Sequence, residues 1–90
     1  MFQVVWLQTA LDELAAIWLE EGSALRQAIT AAAHAIDPLL HVDPQNQGES
    51  RADGQRILFQ TPLGVTFEVR QQAGVVRILH VWLVRPRGRS

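Results

Sequence analysis

Apolar residues along this chain fall first in a short run, then at helical spacing, and finally in strict alternation. Phe2 to Leu7 is brief and rich in β-formers, which predicts a strand. Leu11, Leu14, Ala15, Trp18 and Leu19 then recur at steps of three and four, gathering on one face of a helix. Leu25, Ala28, Ile29, Ala32 and Ile36 repeat that stripe. Thr9 reads as the N-cap of the first helix, with Asp12 and Glu13 in its first turn, near the positive end of the helix dipole. Gly22 ends this helix and Ser23 caps the next, so the two form an antiparallel hairpin. Pro38 has no amide hydrogen, which predicts a kink or stop near Asp37, with Leu39 and Leu40 packing as a final turn.

From Asp43 to Gln55 the chain is polar and carries Pro44, Gly48 and Gly54, the marks of a loop. Three strands follow over residues 56–60, 63–70 and 75–84, joined at Thr61-Pro62 and through a turn from Gln71 to Gly74. The order β-α-α-β-β-β predicts an α+β fold, an antiparallel sheet with a helix hairpin on one face. It occupies residues 1–84 as one domain, and 85–90 form a basic tail.

Side chains of a strand alternate between faces, so parity assigns each residue a side. Val65, Phe67 and Val69 fall on the helix-covered face of the middle strand, and Thr66, Glu68 and Arg70 on the open one. By the same rule Ile57 and Phe59 point into the core, while Arg56, Leu58 and Gln60 point out. In the last strand Val76, Ile78, His80 and Trp82 take the covered side; Arg77, Leu79, Val81, Leu83 and Arg85 take the other. Parity thus predicts an open face where arginines mix with an aliphatic patch of Leu58, Leu79, Val81 and Leu83. Such a patch is costly in water and calls for a partner.

Charge sharpens this picture. The formal net charge is −1, yet Arg26 alone opposes seven carboxylates in residues 1–50, while seven arginines oppose Asp53 and Glu68 in residues 51–90. The split fits an anionic partner for the basic half, or acidic helices lying on a basic sheet with both sets solvated. Every basic residue is arginine, whose planar fork suits phosphate and carboxylate. The absence of cysteine excludes disulfides and fits a reducing cytoplasm. No apolar run is long enough to span a bilayer, and no secretory signal is expected.

Candidate chemistry is sparse. His34 lies among alanines, His41 in the predicted loop, and neither has a partner at metal-ligand spacing, so no metal site or cofactor is expected. His80 is the tempting general acid, but unbroken parity buries it beside Ile78 and Trp82 as a structural histidine; only a bulge would turn it outward. Trp6, Trp18 and Trp82 read as core residues.

Taken in this order of elements, Gly48-Glu49-Ser50-Arg51 followed by Pro62-Leu63-Gly64-Val65-Thr66-Phe67-Glu68-Val69 resembles the RelE/ParE superfamily of bacterial toxins. These belong to type II toxin–antitoxin (addiction, plasmid-stabilisation) modules, and the resemblance covers nearly the whole chain. It implies a concave sheet face that binds a target and is partly covered by a cognate antitoxin. It also implies a cytoplasmic growth inhibitor with no membrane partner, and a homodimer as one state of the chain without antitoxin. We expect the antitoxin to present an acidic, partly disordered segment that folds over the sheet or the helix hairpin.

RelE-like members cut messenger RNA on the ribosome, using basic residues of that face and a tyrosine or histidine near the C-terminus; ParE-like members poison DNA gyrase. Carried over by the resemblance, Arg56 and Arg85 are the catalytic pair if the chain is a nuclease. Arg51, Arg56, Arg70, Arg77 and Arg85 form the target-binding set. Leu58 stands where a nuclease has a second basic residue, Leu63-Gly64 replaces an aromatic–arginine pair, and the chain has no tyrosine. Only part of the nuclease set is present, which favours gyrase inhibition. Messenger RNA cleavage, and a non-toxic binding module on the same fold, stay as alternatives.

Overall fold

A computed structural model describes residues 1–84. Strand β1 (Gln3–Trp6) leads into helices α1 (Gln8–Glu20) and α2 (Ser23–Val42). Strands β2 (Glu49–Ser50), β3 (Gln55–Gln60), β4 (Leu63–Arg70) and β5 (Val75–Leu83) follow. The five strands form one sheet in the order β1-β5-β4-β3-β2. Its hairpin-linked strands are antiparallel as expected, but β1 runs parallel to β5, so the sheet is mixed. The fold is α+β with both helices on one face.

The helix boundaries depart from the cap residues. Leu7 donates its N–H to Ile78 at 3.0 Å and accepts from the Leu11 N–H at 3.0 Å, so α1 begins where the β1–β5 ladder ends. Thr9 therefore lies inside the helix rather than at its cap. At the hairpin, Gly22 takes the cap position and Ser23 becomes the first helical residue. Pro38 does not stop α2, which runs on to Val42. Its ring faces solvent, and burial of Ile36 and Leu40 on the opposite side outweighs the missing backbone hydrogen bond. His41 accordingly sits in the last helical turn rather than a loop, where its Nδ1–H donates to the Phe2 carbonyl at 2.6 Å.

The core is apolar throughout. Leu63, Val65 and Phe67 of β4, Val76, Ile78 and Val81 of β5, and Leu58 of β3 meet Ile29, Ala32, Ile36 and Leu40 of α2 and Ala10 of α1. Helix α1 lies along β5, while α2 crosses to β1, β3 and β4. The segment read as a loop holds two short 3-10 turns and the edge strand β2. Gly48, with φ +69°, lies so close to the Ile57 carbonyl that a side chain there would collide with backbone. No helix among the described residues is long and apolar enough to cross a membrane.

Candidate functional site

The open face of the sheet differs from the one parity predicts, for two reasons. The first is register. The two-residue link at Thr61-Pro62 pairs Gln60 with Leu63, and so Leu58 with Val65 and Arg56 with Phe67. Directly opposed residues share a face, which places Arg56, Leu58 and Gln60 on the helix side and Ile57 and Phe59 on the open side. Leu58 is 9% exposed and Phe59 57%, the reverse of the expected assignment. The second reason is a bulge. Phe67 opposes Ile78 but Thr66 opposes His80, so Leu79 is an extra residue and every side chain after it changes face. Val81 and Leu83 turn into the core, and His80 and Trp82 turn out. The predicted aliphatic patch is thereby dismantled and replaced by Ile57, Phe59 and Trp82.

The arginines are correspondingly rearranged. Arg56 is not on the open face: it donates from Nε to the Gln47 carbonyl at 2.8 Å, from Nη1 to Ser50 Oγ at 2.8 Å and from Nη2 to the Gly48 carbonyl at 3.1 Å. It latches the 47–50 segment onto the sheet. Arg70 and Arg77 do lie on the open face, and both pair with Glu68, at 3.2 and 2.8 Å. Arg51 pairs with Glu49 at 3.1 Å beside the edge strand. Arg85 lies outside the described residues. The expected continuous positive surface is thus an internally paired one, with Glu68 seated between two guanidinium groups and offsetting one of their two charges. This pairing was legible, because the Gln71–Gly74 turn sets Arg70 opposite Val75 and hence Glu68 opposite Arg77.

At the other end of the face the bulge brings His80 against α1. Its Nδ1 is 3.3 Å from Glu13 Oε2, and Glu13 Oε1 accepts the Val81 N–H at 3.0 Å. Beyond Ile78 the edge of β5 has no β1 residue beside it, and Glu13 satisfies one of the edge donors. The imidazole is 57% exposed and its Nε2 is unengaged among the described contacts. Next to it the Trp82 indole lies over Gly64, where a Cβ would come within 2.6 Å of the ring, and Phe59 meets it edge-on at 6.2 Å. Gly64 is therefore an opening for an aromatic shelf. Neither Glu13 nor this shelf was foreseen, since both depend on the bulge.

The other tryptophans are not deep core either. Trp6 is half-buried on the helix side with its indole N–H donated to Asp37 at 2.8 Å. Trp18 is 38% exposed beneath the Arg26 guanidinium, which stands 4.3 Å from its ring centre.

The sequence matches no family model and no curated protein. Solved structures do share the architecture. A chain of the chromosomal ParDE TA system from P. aeruginosa superposes with a TM-score of 0.75 at 25% identity, over 94% of this chain and 98% of that one. The fold is RelE/ParE-like. A chain of the toxin–antitoxin complex RelBE2 from Mycobacterium tuberculosis gives a TM-score of 0.72 at 16% identity, over 91% and 90%. In this RelE/ParE-like chain the open face presents an aromatic shelf, one histidine–carboxylate pair and internally paired arginines.

Proposed function

We propose that this chain is the toxin of a type II toxin–antitoxin pair, a cytoplasmic growth inhibitor held by a cognate antitoxin, and that it acts by binding its target, DNA gyrase, rather than by cutting RNA. Its near full-length likeness to a chain of a ParDE system supports the toxin assignment. The observation that carries the mode of action is the pairing of Arg70 and Arg77 with Glu68, together with the turn of Arg56 into the 47–50 segment. Stabilising a scissile phosphate in its transition state needs pre-aimed, unneutralised donors. A face with aromatic and aliphatic side chains around paired charges suits protein recognition instead.

A second reading rests on one specific feature. His80, oriented by Glu13 through Nδ1 and 57% exposed, has the form of a general base with an orienting carboxylate. It supports a RelE-like ribosome-dependent endoribonuclease. The test is induced expression, with messenger RNA cleavage and gyrase-dependent DNA breakage followed in parallel. Gyrase-dependent breaks without cleavage, unchanged in His80→Gln, are the expected result. Cleavage abolished by His80→Gln at unchanged melting temperature refutes the binding mode and establishes the nuclease. No growth effect at all leaves a non-toxic binding module.

A further inference from the structure

A polar pocket of about 240 Å³ opens at the corner of the sheet, where the segment 45–55 meets the start of β3 and the end of β4. Gln55 and Phe59 lie at opposite ends of β3, so this corner is remote from the aromatic shelf of Phe59 and Trp82. Arg51 and Arg56 line the pocket together with Gln45, Ser50, Gln55 and Gln71. Val69 gives it an apolar wall, and among the described residues no carboxylate lines it.

Arg56 differs from the other sheet arginines. Arg51, Arg70 and Arg77 each have a carboxylate partner. The half-buried Arg56 guanidinium donates only to two carbonyls and one hydroxyl. Those neutral acceptors satisfy its hydrogen bonds but leave its charge uncompensated, which is costly for a group partly withdrawn from water. Each of its two terminal nitrogens carries a second N–H beyond the one already donated. Arg51 commits only Nη1, to Glu49 and to the Ser50 carbonyl, which leaves its Nε and Nη2 for another acceptor. The side-chain amides of Gln45, Gln55 and Gln71 enter no hydrogen bond among the described contacts. Donors in this number suit an anion with many oxygens. One guanidinium fork already saturates a planar carboxylate, whereas a phosphate monoester brings three acceptor oxygens and close to two negative charges. The volume falls below the roughly 300–1,000 Å³ of sites for drug-sized ligands, so the occupant is a phosphate on a short organic stem. We infer that this pocket binds a small phosphate monoester between Arg51 and Arg56. No lining side chain is a general acid or base at neutral pH, so the site binds without chemistry. Because Arg56 also latches residues 47–50, the bound anion fastens that segment to the sheet.

The test titrates the purified chain with ribose 5-phosphate while its backbone amides are followed by two-dimensional NMR. Ribose, acetate and dimethyl phosphate serve as controls for the stem, a carboxylate and a phosphodiester. Ribose 5-phosphate is expected to bind saturably and at least about tenfold more tightly than any control, through charge-assisted hydrogen bonds to both arginines. The shifted amides should be confined to residues 45–56 and 69–71. Arg56→Ala also loosens the 47–50 segment, so Arg51→Gln carries the mutational test. Its exposed pair with Glu49 contributes little to the fold, and the substitution should weaken binding by about tenfold or more. Arg77→Gln, on the open face, should leave the affinity unchanged. Absence of saturation, shifts spread over Arg70 and Arg77, or equal weakening by Arg51→Gln and Arg77→Gln would overturn the inference. Acetate binding as tightly would make this a carboxylate site, and dimethyl phosphate binding as tightly a nucleic-acid backbone contact; either refutes the monoester. Growth inhibition does not enter the readout, so the toxin reading stands or falls separately.

Discussion

Replacing Phe67 with alanine probes the core and the strand parity together. Phe67 is fully buried in β4, opposed by Arg56 on one side and Ile78 on the other, and it is the largest fully buried side chain among the described residues. A phenylalanine buries roughly 200 Å², which at about 25 cal/mol per Å² gives an upper bound near 5 kcal/mol. Alanine recovers part of that area, but the void left between a five-stranded sheet and α2 cannot readily collapse, so the net cost should be about 3–5 kcal/mol. Against a total of roughly 5–15 kcal/mol for a small domain this is a large fraction. It lowers the melting temperature by about 12–40 °C at roughly 4–8 °C per kcal/mol. Thr66, the next residue, lies half-buried on the open face opposite Ile57 and His80. Thr66→Ala should cost less than about 1 kcal/mol, the span of strand propensity. Equilibrium urea unfolding followed by tryptophan fluorescence measures both, with equal slopes showing that only stability has changed. Equal losses from the two substitutions, or the larger loss at Thr66, would refute the assignment of faces.

Two further substitutions test the open face and the segment at its edge. Gly64→Ala places a methyl group 2.6 Å from the Trp82 indole, so the ring must shift; a cost of about 1–3 kcal/mol and a changed tryptophan emission are expected, and an unaltered spectrum would show that the shelf is absent. Arg56→Ala removes three hydrogen bonds to residues 47–50, with an expected loss of about 1–3 kcal/mol and faster proteolysis at that segment. Lost target binding at unchanged stability would instead return Arg56 to the target-binding set.

Local pattern was enough for the elements. Period, turn residues and length located β1, both helices and the three long strands, because the backbone preferences and apolar stripes that form them lie within a few residues of one another. Alternation in β4 correctly placed Phe67 inside, since all its apolar residues share one parity. In β3 parity was ambiguous: Ile57, Leu58 and Phe59 are apolar on both sides, and only pairing with β4 through the two-residue turn decided which side was buried. In β5 the deciding event was an extra residue, Leu79, whose insertion is visible only against the partner strand. The helix ends followed the same division. Thr9 and Pro38 carry local signals for a start and a stop, yet the β1–β5 ladder and the burial of Ile36 and Leu40 overrode them. The functional surface inherited all of these decisions. The arginines were evident from the chain, and the turn from Gln71 to Gly74 set Arg77 opposite Glu68. The inward turn of Arg56, however, arose from register and the outward turn of His80 and Trp82 from a bulge, which are properties of strands in contact rather than of any one strand.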